Sequence, residues 1–297
     1  MSFPPRFLDE LRDRTALVDL IGRKVSLQRR GREHTGLCPF HKEKTPSFTV
    51  NEEKGFYHCF GCGQHGDAIS FVMETENLSF PEAVERLANA NGMEVSRATP
   101  EEVQREKQRG GLLEAVEAAT AWFERRLRDP EGKIALDYFT RRSLDPETIA
   151  KFRLGYAPGL GRGEASRLSS DLLQQGFETE TLVEAGLLNV PEDGRAPYDF
   201  FRGRAMFPIT DRRGRVIAFG GRVIGDGEPK YLNSRDTPLF DKRRTLYNLA
   251  NAREACRDAP EMIVAEGYMD VIALDRGGFP AAVAPLGTAL TEEQIEA

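Results

Sequence analysis

Four side chains able to hold a soft metal ion lie in two tight pairs near the start of the chain: Cys38-Pro-Phe-His41 and, 17 residues further on, Cys59-Phe-Gly-Cys62. Two donors three positions apart on a knuckle turn face one point, and two such pairs close a tetrahedron of three thiolates and one imidazole. That donor set suits Zn2+. A closed four-ligand site leaves no position for water, so the expected role is structural: one ion that the small lobe around it needs in order to fold. Gly61 and Gly63 supply the turn. A disulfide, the competing use of paired cysteines, is disfavoured in the cytoplasmic setting expected below. His58, beside Cys59 on a strand, is expected to point away from the metal; His34 and His65 are spare, and Cys256 reads as a buried structural thiol.

A second kind of chemistry is written in carboxylates. Glu266 ends the apolar run Met-Ile-Val-Ala-Glu, Gly267 permits a sharp turn into a helix, and Asp270 follows four positions on. Sites in open α/β sheets form outside the carboxyl ends of strands, so the two acids can meet there. They can hold Mg2+, work as acid and base, or simply complement a helix N-terminus. Between the two sites runs a basic, Gly-punctuated stretch: Phe201–Pro208 with Arg202 and Arg204, then Phe219-Gly-Gly-Arg222, then Pro229–Ser234 with Lys230, Tyr231 and Asn233, then Lys242 to Arg244. Arg202 and Arg204 are expected on one strand face, and glycines beside arginines let a polyanion backbone approach. Around the metal ligands, Phe40, Phe48, Phe56, Tyr57 and Phe60 alternate with Lys42, Lys44 and Lys54. Rings beside cations can hold single strands, or the rings can form a small core; both uses are expected here.

The elements that must position these groups follow from pattern. At 297 residues, 40% hydrophobic and 30% charged, the chain is long enough for two domains. No apolar stretch approaches the roughly 18 residues of a membrane helix, and the acidic N-terminus lacks a secretory segment, so a cytoplasmic protein without membrane association is expected. The formal net charge is −6, yet residues 1–65 carry 11 basic against 8 acidic residues and residues 196–257 carry 13 against 7. Local fields rather than net charge steer polyanions. Apolar spacing predicts an amphipathic helix over the first ~20 residues, then short strands near Val25–Leu27, Ser47–Val50 and Phe56–His58, then helices at Asp67–Thr75 and after the Ser79 capping box. Ser96–Gly111 reads as a linker or an exposed, frayed helix. Helices follow at 112–128, 133–142, after Asp145, at Ser166–Gln175 and at Glu180–Ala185. A strand-rich region begins near Tyr198, and a strand–helix–strand unit with a parallel pair begins at Glu261.

In this order, the cysteine–histidine cluster, the basic segments through Phe240–Leu249 and Glu266–Asp270 resemble the bacterial DnaG-type primases, along nearly the whole chain. The resemblance implies an α+β/α/β protein. An N-terminal zinc ribbon of antiparallel β with flanking helices would occupy 1–95, a linker 96–111, and a mixed α+β basic subdomain of the polymerase core 112–257. An incomplete Toprim-like βαβ unit would occupy 258–297. It implies synthesis of short RNA primers on single-stranded DNA from ribonucleoside triphosphates, with Mg2+ or Mn2+ at the Toprim carboxylates and more than one such ion in a complete site. Glu266 and Asp270 would be catalytic, Glu266 also a ligand of the divalent cation. Arg142, Arg202, Arg204, Arg222, Lys230, Tyr231, Asn233 and Lys242 would contact template or nucleotide. The family's later acidic motifs and its helicase-binding domain lie beyond Ala297, so this chain is expected to bind zinc and single-stranded DNA and to polymerise poorly or not at all alone; a monomer is expected. The alternative is a non-catalytic zinc-ribbon DNA-binding fragment, and the expected location is the bacterial cytoplasm, at the replisome.

Overall fold

The computed structural model describes residues 3–95, 99–159, 167–256, 261–287 and 289–296. Parts of the expected linker (96–98), of the helix beginning at Ser166 and of the segment opening the last unit (258–260) lie outside the described residues. The chain divides into two units, Met1–Glu106 and Lys107–Ala297.

In the first unit, α1 (Pro5–Arg14) and α2 (Leu17–Gly22) replace the single helix expected at the N-terminus. The break has a physical cause. The Thr15 hydroxyl donates back to the Leu11 carbonyl at 2.6 Å, and the Glu52 carboxylate accepts from the Leu17 and Val18 amides at 2.8 and 2.5 Å. A carboxylate at a helix start both caps it and complements its dipole, so a new helix begins at Leu17. Five strands follow, β1 (Gln28–Arg30), β2 (Glu33–Gly36), β3 (Phe48–Asn51), β4 (Phe56–Cys59) and β5 (His65–Gly66), antiparallel in sequence order. The first strand begins just past Val25–Leu27, because the Val25 amide is still bonded to the Ile21 carbonyl at 2.9 Å in the turn that ends α2. Asp67 caps α3 (Ala68–Glu76), and Ser79 and Glu82 cap α4 (Phe80–Ala90) reciprocally, as the spacing predicts. Period-two alternation sends Phe48, Val50, Tyr57 and Cys59 into one core with Leu11, Leu17, Ile21, Phe71 and Leu87. The other sheet face carries Thr49, Phe56 and His58.

The division between units falls within α5 (Pro100–Arg128), so residues 100–111 are helical. Thr99 and Glu102 form a capping box there: the Thr99 amide donates to Glu102 at 2.8 Å and the Glu102 amide donates to the Thr99 hydroxyl at 3.2 Å. From Leu112 onward α5 buries Leu112, Val116, Trp122, Phe123 and Leu127. Then come α6 (Lys133–Arg141), α7 (Pro146–Lys151), β6 (Gly155–Ala157), α8 (Arg167–Gln174), α9 (Thr179–Glu184) and the short pair β7 (Leu188–Asn189) and β8 (Tyr198–Asp199). The strand-rich region is β9 (Arg204–Thr210), β10 (Val216–Val223) and β11 (Tyr231–Asn233), which form an antiparallel sheet in the order β11-β10-β9-β6. Last are β12 (Leu246–Tyr247), α10 (Leu249–Ala255), β13 (Ile263–Val264), α11 (Tyr268–Arg276), β14 (Ala282–Pro285) and α12 (Glu292–Ile295). β13 and β14 are parallel, joined across α11 as expected, and β12 adds antiparallel to β14.

Tyr268 packs between the four-stranded and the three-stranded sheets of this unit. Its ring stacks on Phe207 at 5.0 Å and meets Tyr247 edge-on at 4.7 Å. It lies so close over Gly220 that a Cβ there would collide with the phenol. Among the described residues no helix is long and apolar enough to cross a membrane.

Candidate metal centre and cleft

The zinc ligands are delivered by two turns. Cys38 and His41 lie in the loop between β2 and β3, and Cys59 and Cys62 lie at the end of β4 and in the turn after it. Their donor atoms all lie within 4.8 Å of one another. With Zn–S about 2.3 Å and Zn–N about 2.0–2.1 Å at tetrahedral angles, sulfurs should stand about 3.8 Å apart and sulfur and nitrogen about 3.6 Å apart. The Cys38 and Cys62 sulfurs are 3.8 Å apart, and the Cys59 sulfur is 3.7 Å from His41 Nδ1. The donor set therefore fits a structural Zn2+, with Nδ1 as the imidazole donor. Gly61 is required at the turn, since a Cβ there would come within 2.8 Å of the His41 ring and 2.7 Å of the Ser47 hydroxyl. Burial pushes the Cys38 thiol up to about 12. At Cys59 burial acts the same way but is outweighed by hydrogen bonds from Ser47 and backbone amides, which bring that thiol down to about 7.

Around these ligands the rings divide as expected. Phe48 and Tyr57 are buried and Phe40 stacks on Tyr57, while Phe56 and Phe60 are exposed. On the open sheet face His58 lies 4.5 Å from Phe60 and 6.0 Å from His65, outside the metal donor set, and Phe56 lies 6.0 Å from His65.

In the second unit a cleft of about 460 Å³ brings together Arg142, Tyr231, Asn233, Glu266 and Asp270, from the end of α6, from β11, and from the β13–α11 turn and the first turn of α11. Glu266 and Asp270 are exposed, and neither carboxylate has a hydrogen-bond or ion-pair partner among the described residues. Asn233 is held by the fold: it donates to the Leu286 carbonyl at 2.7 Å and accepts from the Tyr268 hydroxyl at 2.6 Å. Burial among neighbouring aromatic rings raises that phenol well above its usual range, and its hydroxyl keeps its proton to donate to Asn233. Arg222 lies across from Tyr231 in the β10–β11 register, with its guanidinium 4.5 Å from the centre of the Tyr138 ring; the Arg142 guanidinium is 5.7 Å from the same ring. The Tyr138 hydroxyl and Arg222 Nε are both buried without a partner among the described residues.

Other expected positions lie elsewhere. Arg204 is only 7% exposed, and its guanidinium donates to the carbonyls of Gly221 and Pro229 at 3.1 and 2.9 Å. It ties β9 to β10 and the loop beyond, which corrects its expected place on a phosphate-facing surface. Nor does it share a strand face with Arg202, because β9 begins at Arg204 and Arg202 lies before it, over the Tyr198 ring at 4.7 Å. Lys230 and Lys242 are exposed and outside the cleft lining. Cys256 caps the end of α10 half-exposed, against the expectation of burial. Two supporting residues escaped sequence reasoning. Glu43, two positions after His41, is the one acid in the run His41-Lys-Glu-Lys44, and Tyr138 stands one helical turn before Arg142.

Residues 3–103 match the CHC2 zinc finger, residues 122–253 the N-terminal domain of the DNA primase catalytic core, and residues 261–297 the Toprim domain. The DNA primase of Pseudomonas putida is 47% identical over 99% of this chain and 44% of its own length. That of Escherichia coli K12 is 43% identical over 99% of this chain and 50% of its own. The chain thus spans about half the length of the curated relatives it matches. The zinc-binding and RNA polymerase domains of the Aquifex aeolicus primase superpose with a TM-score of 0.57 at 36% identity, covering 99% of this chain and 69% of that one. A DnaG primase catalytic domain bound to ssDNA superposes with a TM-score of 0.55 at 41% identity, over 64% of this chain and 60% of that one. Family matches, relatives and superposed structures agree: the chain belongs to the DnaG family of DNA primases.

Proposed function

We propose that this chain supplies the template-binding and nucleotidyl-transfer surfaces of a primase that makes short RNA primers on single-stranded DNA from ribonucleoside triphosphates. The observation that carries the reading is the cleft in which two unengaged carboxylates, Glu266 and Asp270, face Arg142, Tyr231 and Asn233. Oxygen-only donors at the carboxyl end of a parallel strand suit a hard divalent cation, Mg2+ or Mn2+. Such an ion, when bound, supplies positive charge to the transferring phosphoryl group. Glu266 and Asp270 are the catalytic carboxylates of this reading, with Glu266 the principal ligand. Arg142 and Arg222 neutralise template or nucleotide phosphates, Tyr231 offers a ring for stacking, and Asn233 is fixed by Tyr268 and Leu286 to present its amide. Lys230, Lys242 and Arg202 extend the basic surface outside the cleft.

In the zinc unit the open sheet face bearing Phe56, His58, Phe60 and His65 is the base-stacking surface. Residues 1–95 form the DNA-contacting zinc lobe, 96–111 its connection, 112–257 the first part of the polymerase core and 258–297 the start of the Toprim unit. In the family's whole proteins the replicative helicase is the partner of this assembly.

The test is incorporation of labelled ribonucleotides on single-stranded DNA with Mg2+, beside binding of the same DNA. Product that disappears in Glu266→Gln while DNA binding persists supports the reading. Incorporation undiminished by Glu266→Gln, or a zinc-loaded chain that does not bind single strands, overturns it.

A further inference from the structure

We propose that Glu43 is the positioning residue of the zinc site, a single carboxylate that sets which nitrogen of His41 meets the metal and braces the cysteines on either side. Its Oε1 accepts from the backbone amides of Cys38 at 2.7 Å and Ser47 at 3.1 Å. Its Oε2 accepts from the Ser47 hydroxyl at 2.5 Å and stands 3.3 Å from His41 Nε2. The Ser47 hydroxyl in turn lies 3.3 Å from the Cys59 sulfur. Three of the four ligands are thereby tied, directly or through one hydroxyl, to one side chain that is only 10% exposed.

The consequence for His41 is specific. A neutral imidazole carries one N–H and one lone pair. With Nε2 facing an acceptor-only carboxylate, the proton sits on Nε2, and the lone pair sits on Nδ1, the atom facing the Cys59 sulfur. Carboxylates behind a metal-bound histidine fix its tautomer and ring orientation in this way, and losing one typically weakens metal binding about 10- to 100-fold. Glutamine does not reproduce this. With its amide NH2 at the Oε2 position the Ser47 hydroxyl can turn to accept, but the His41 Nε2–H then faces a donor.

Ser47 also reaches the open sheet face, since its carbonyl accepts from the Phe60 amide at 2.9 Å. The same bracing therefore orients the most exposed ring of that face; this consequence rests on the proposed template-binding role, whereas the effect on zinc does not.

The experiment uses the full chain as wild type, Glu43→Gln, Glu43→Ala and Ser47→Ala. Zinc affinity is read by chelator competition, the site by the visible spectrum of the Co2+-substituted protein, and the His41 nitrogens by 15N NMR. Expected are about 10- to 100-fold weaker zinc binding for both Glu43 variants, a smaller loss for Ser47→Ala, an altered Co2+ spectrum, and partial loss of Nδ1 ligation in Glu43→Ala. A carboxylate that merely stiffens the loop would lower the melting temperature and leave the Co2+ spectrum and the His41 tautomer unchanged; that result overturns the proposal. Should Glu43→Ala fail to fold even with zinc, Ser47→Ala decides, and a wild-type zinc affinity and Co2+ spectrum there count against it. Loss of DNA binding by wild type would refute the template-face reading while leaving the zinc result standing.

Discussion

The zinc centre and the carboxylate cleft solve the same problem, placing polar groups where they can act, in opposite ways. At the zinc centre the four ligands fall within 25 residues of sequence, come in two short turns, and are hydrogen-bonded by Glu43 and Ser47 from the same loop. In the cleft the groups come from positions 142 to 270, and the two carboxylates stand exposed without partners among the described residues. A site built from local turns is rigid once its ion is present. A site assembled across a unit depends instead on the packing beneath it, here Tyr268 wedged over Gly220 and Tyr138 beneath two arginines. The first site should fail through its metal, and the second through its supports.

The largest expected effect follows from that contrast. Structural zinc supplies about 10–16 kcal/mol in small zinc-binding peptides. Chelation should therefore unfold the unit Met1–Glu106 and leave Lys107–Ala297 folded, because that unit buries its own core of Trp122, Phe123, Phe139, Phe207 and Phe219. Hydrogen exchange with and without chelator checks it, and loss of protection in both units would break the comparison. Next in size is Glu266→Gln, which should bring the low nucleotide incorporation expected of this chain down to background with little change in melting temperature, because the side chain is exposed and has no partner among the described residues. A large drop in melting temperature would mean that the carboxylate belongs to the packing after all.

Tyr138 probes the supports. Replacing it with Leu removes the ring beneath Arg142 and Arg222, and single-strand affinity should fall roughly three- to tenfold, while Tyr138→Phe should keep nearly all of it. Arg222→Gln should lower the slope of log affinity against log salt by about 0.7, the share of one phosphate contact on a single strand. If Tyr138→Leu weakens binding equally with and without Arg222, the ring is not acting through that arginine.

The contrast also explains what the sequence made legible. The zinc ligands, the capping box at Ser79 and the βαβ unit at Ile263–Pro285 are local patterns, and each appears where spacing or period demands. What escaped was long-range. Nothing near Thr15 announces that Glu52 will cap a second helix there, and nothing in Phe201–Pro208 says that Arg204 will turn inward to two carbonyls. The pairing of β12 with β14 is likewise a meeting of distant short segments. Glu43 is the instructive intermediate: its position is local, but its role depends on the return of Cys59 beside Ser47.

The smallest effect separates electrostatic from metal stabilisation inside the zinc unit. Asp67 caps α3, accepting from the Ser70 amide at 2.8 Å and from Arg12 Nε at 2.7 Å. Burial alone would raise its carboxyl, but these donors outweigh burial and hold it below the usual carboxylate value. A folded-state pKa below the unfolded value of about 3.9 means that the charge stabilises the fold above that pH, and that the contribution is lost as pH falls through the folded-state value. Asp67→Asn keeps a cap acceptor and removes the charge. The stability difference between wild type and this variant, from urea unfolding with zinc saturating, should be level near neutral pH and shrink toward zero below about pH 4. Proton competition for the zinc ligands acts on both proteins and cancels in the difference. Asp145 caps α7 in the second unit by the same geometry, but its side chain is 53% exposed against 25% for Asp67. Water screens the more exposed charge better, so Asp145→Asn should give the same shape of curve with a smaller amplitude. Equal amplitudes would mean that burial of the cap does not set the size of the effect.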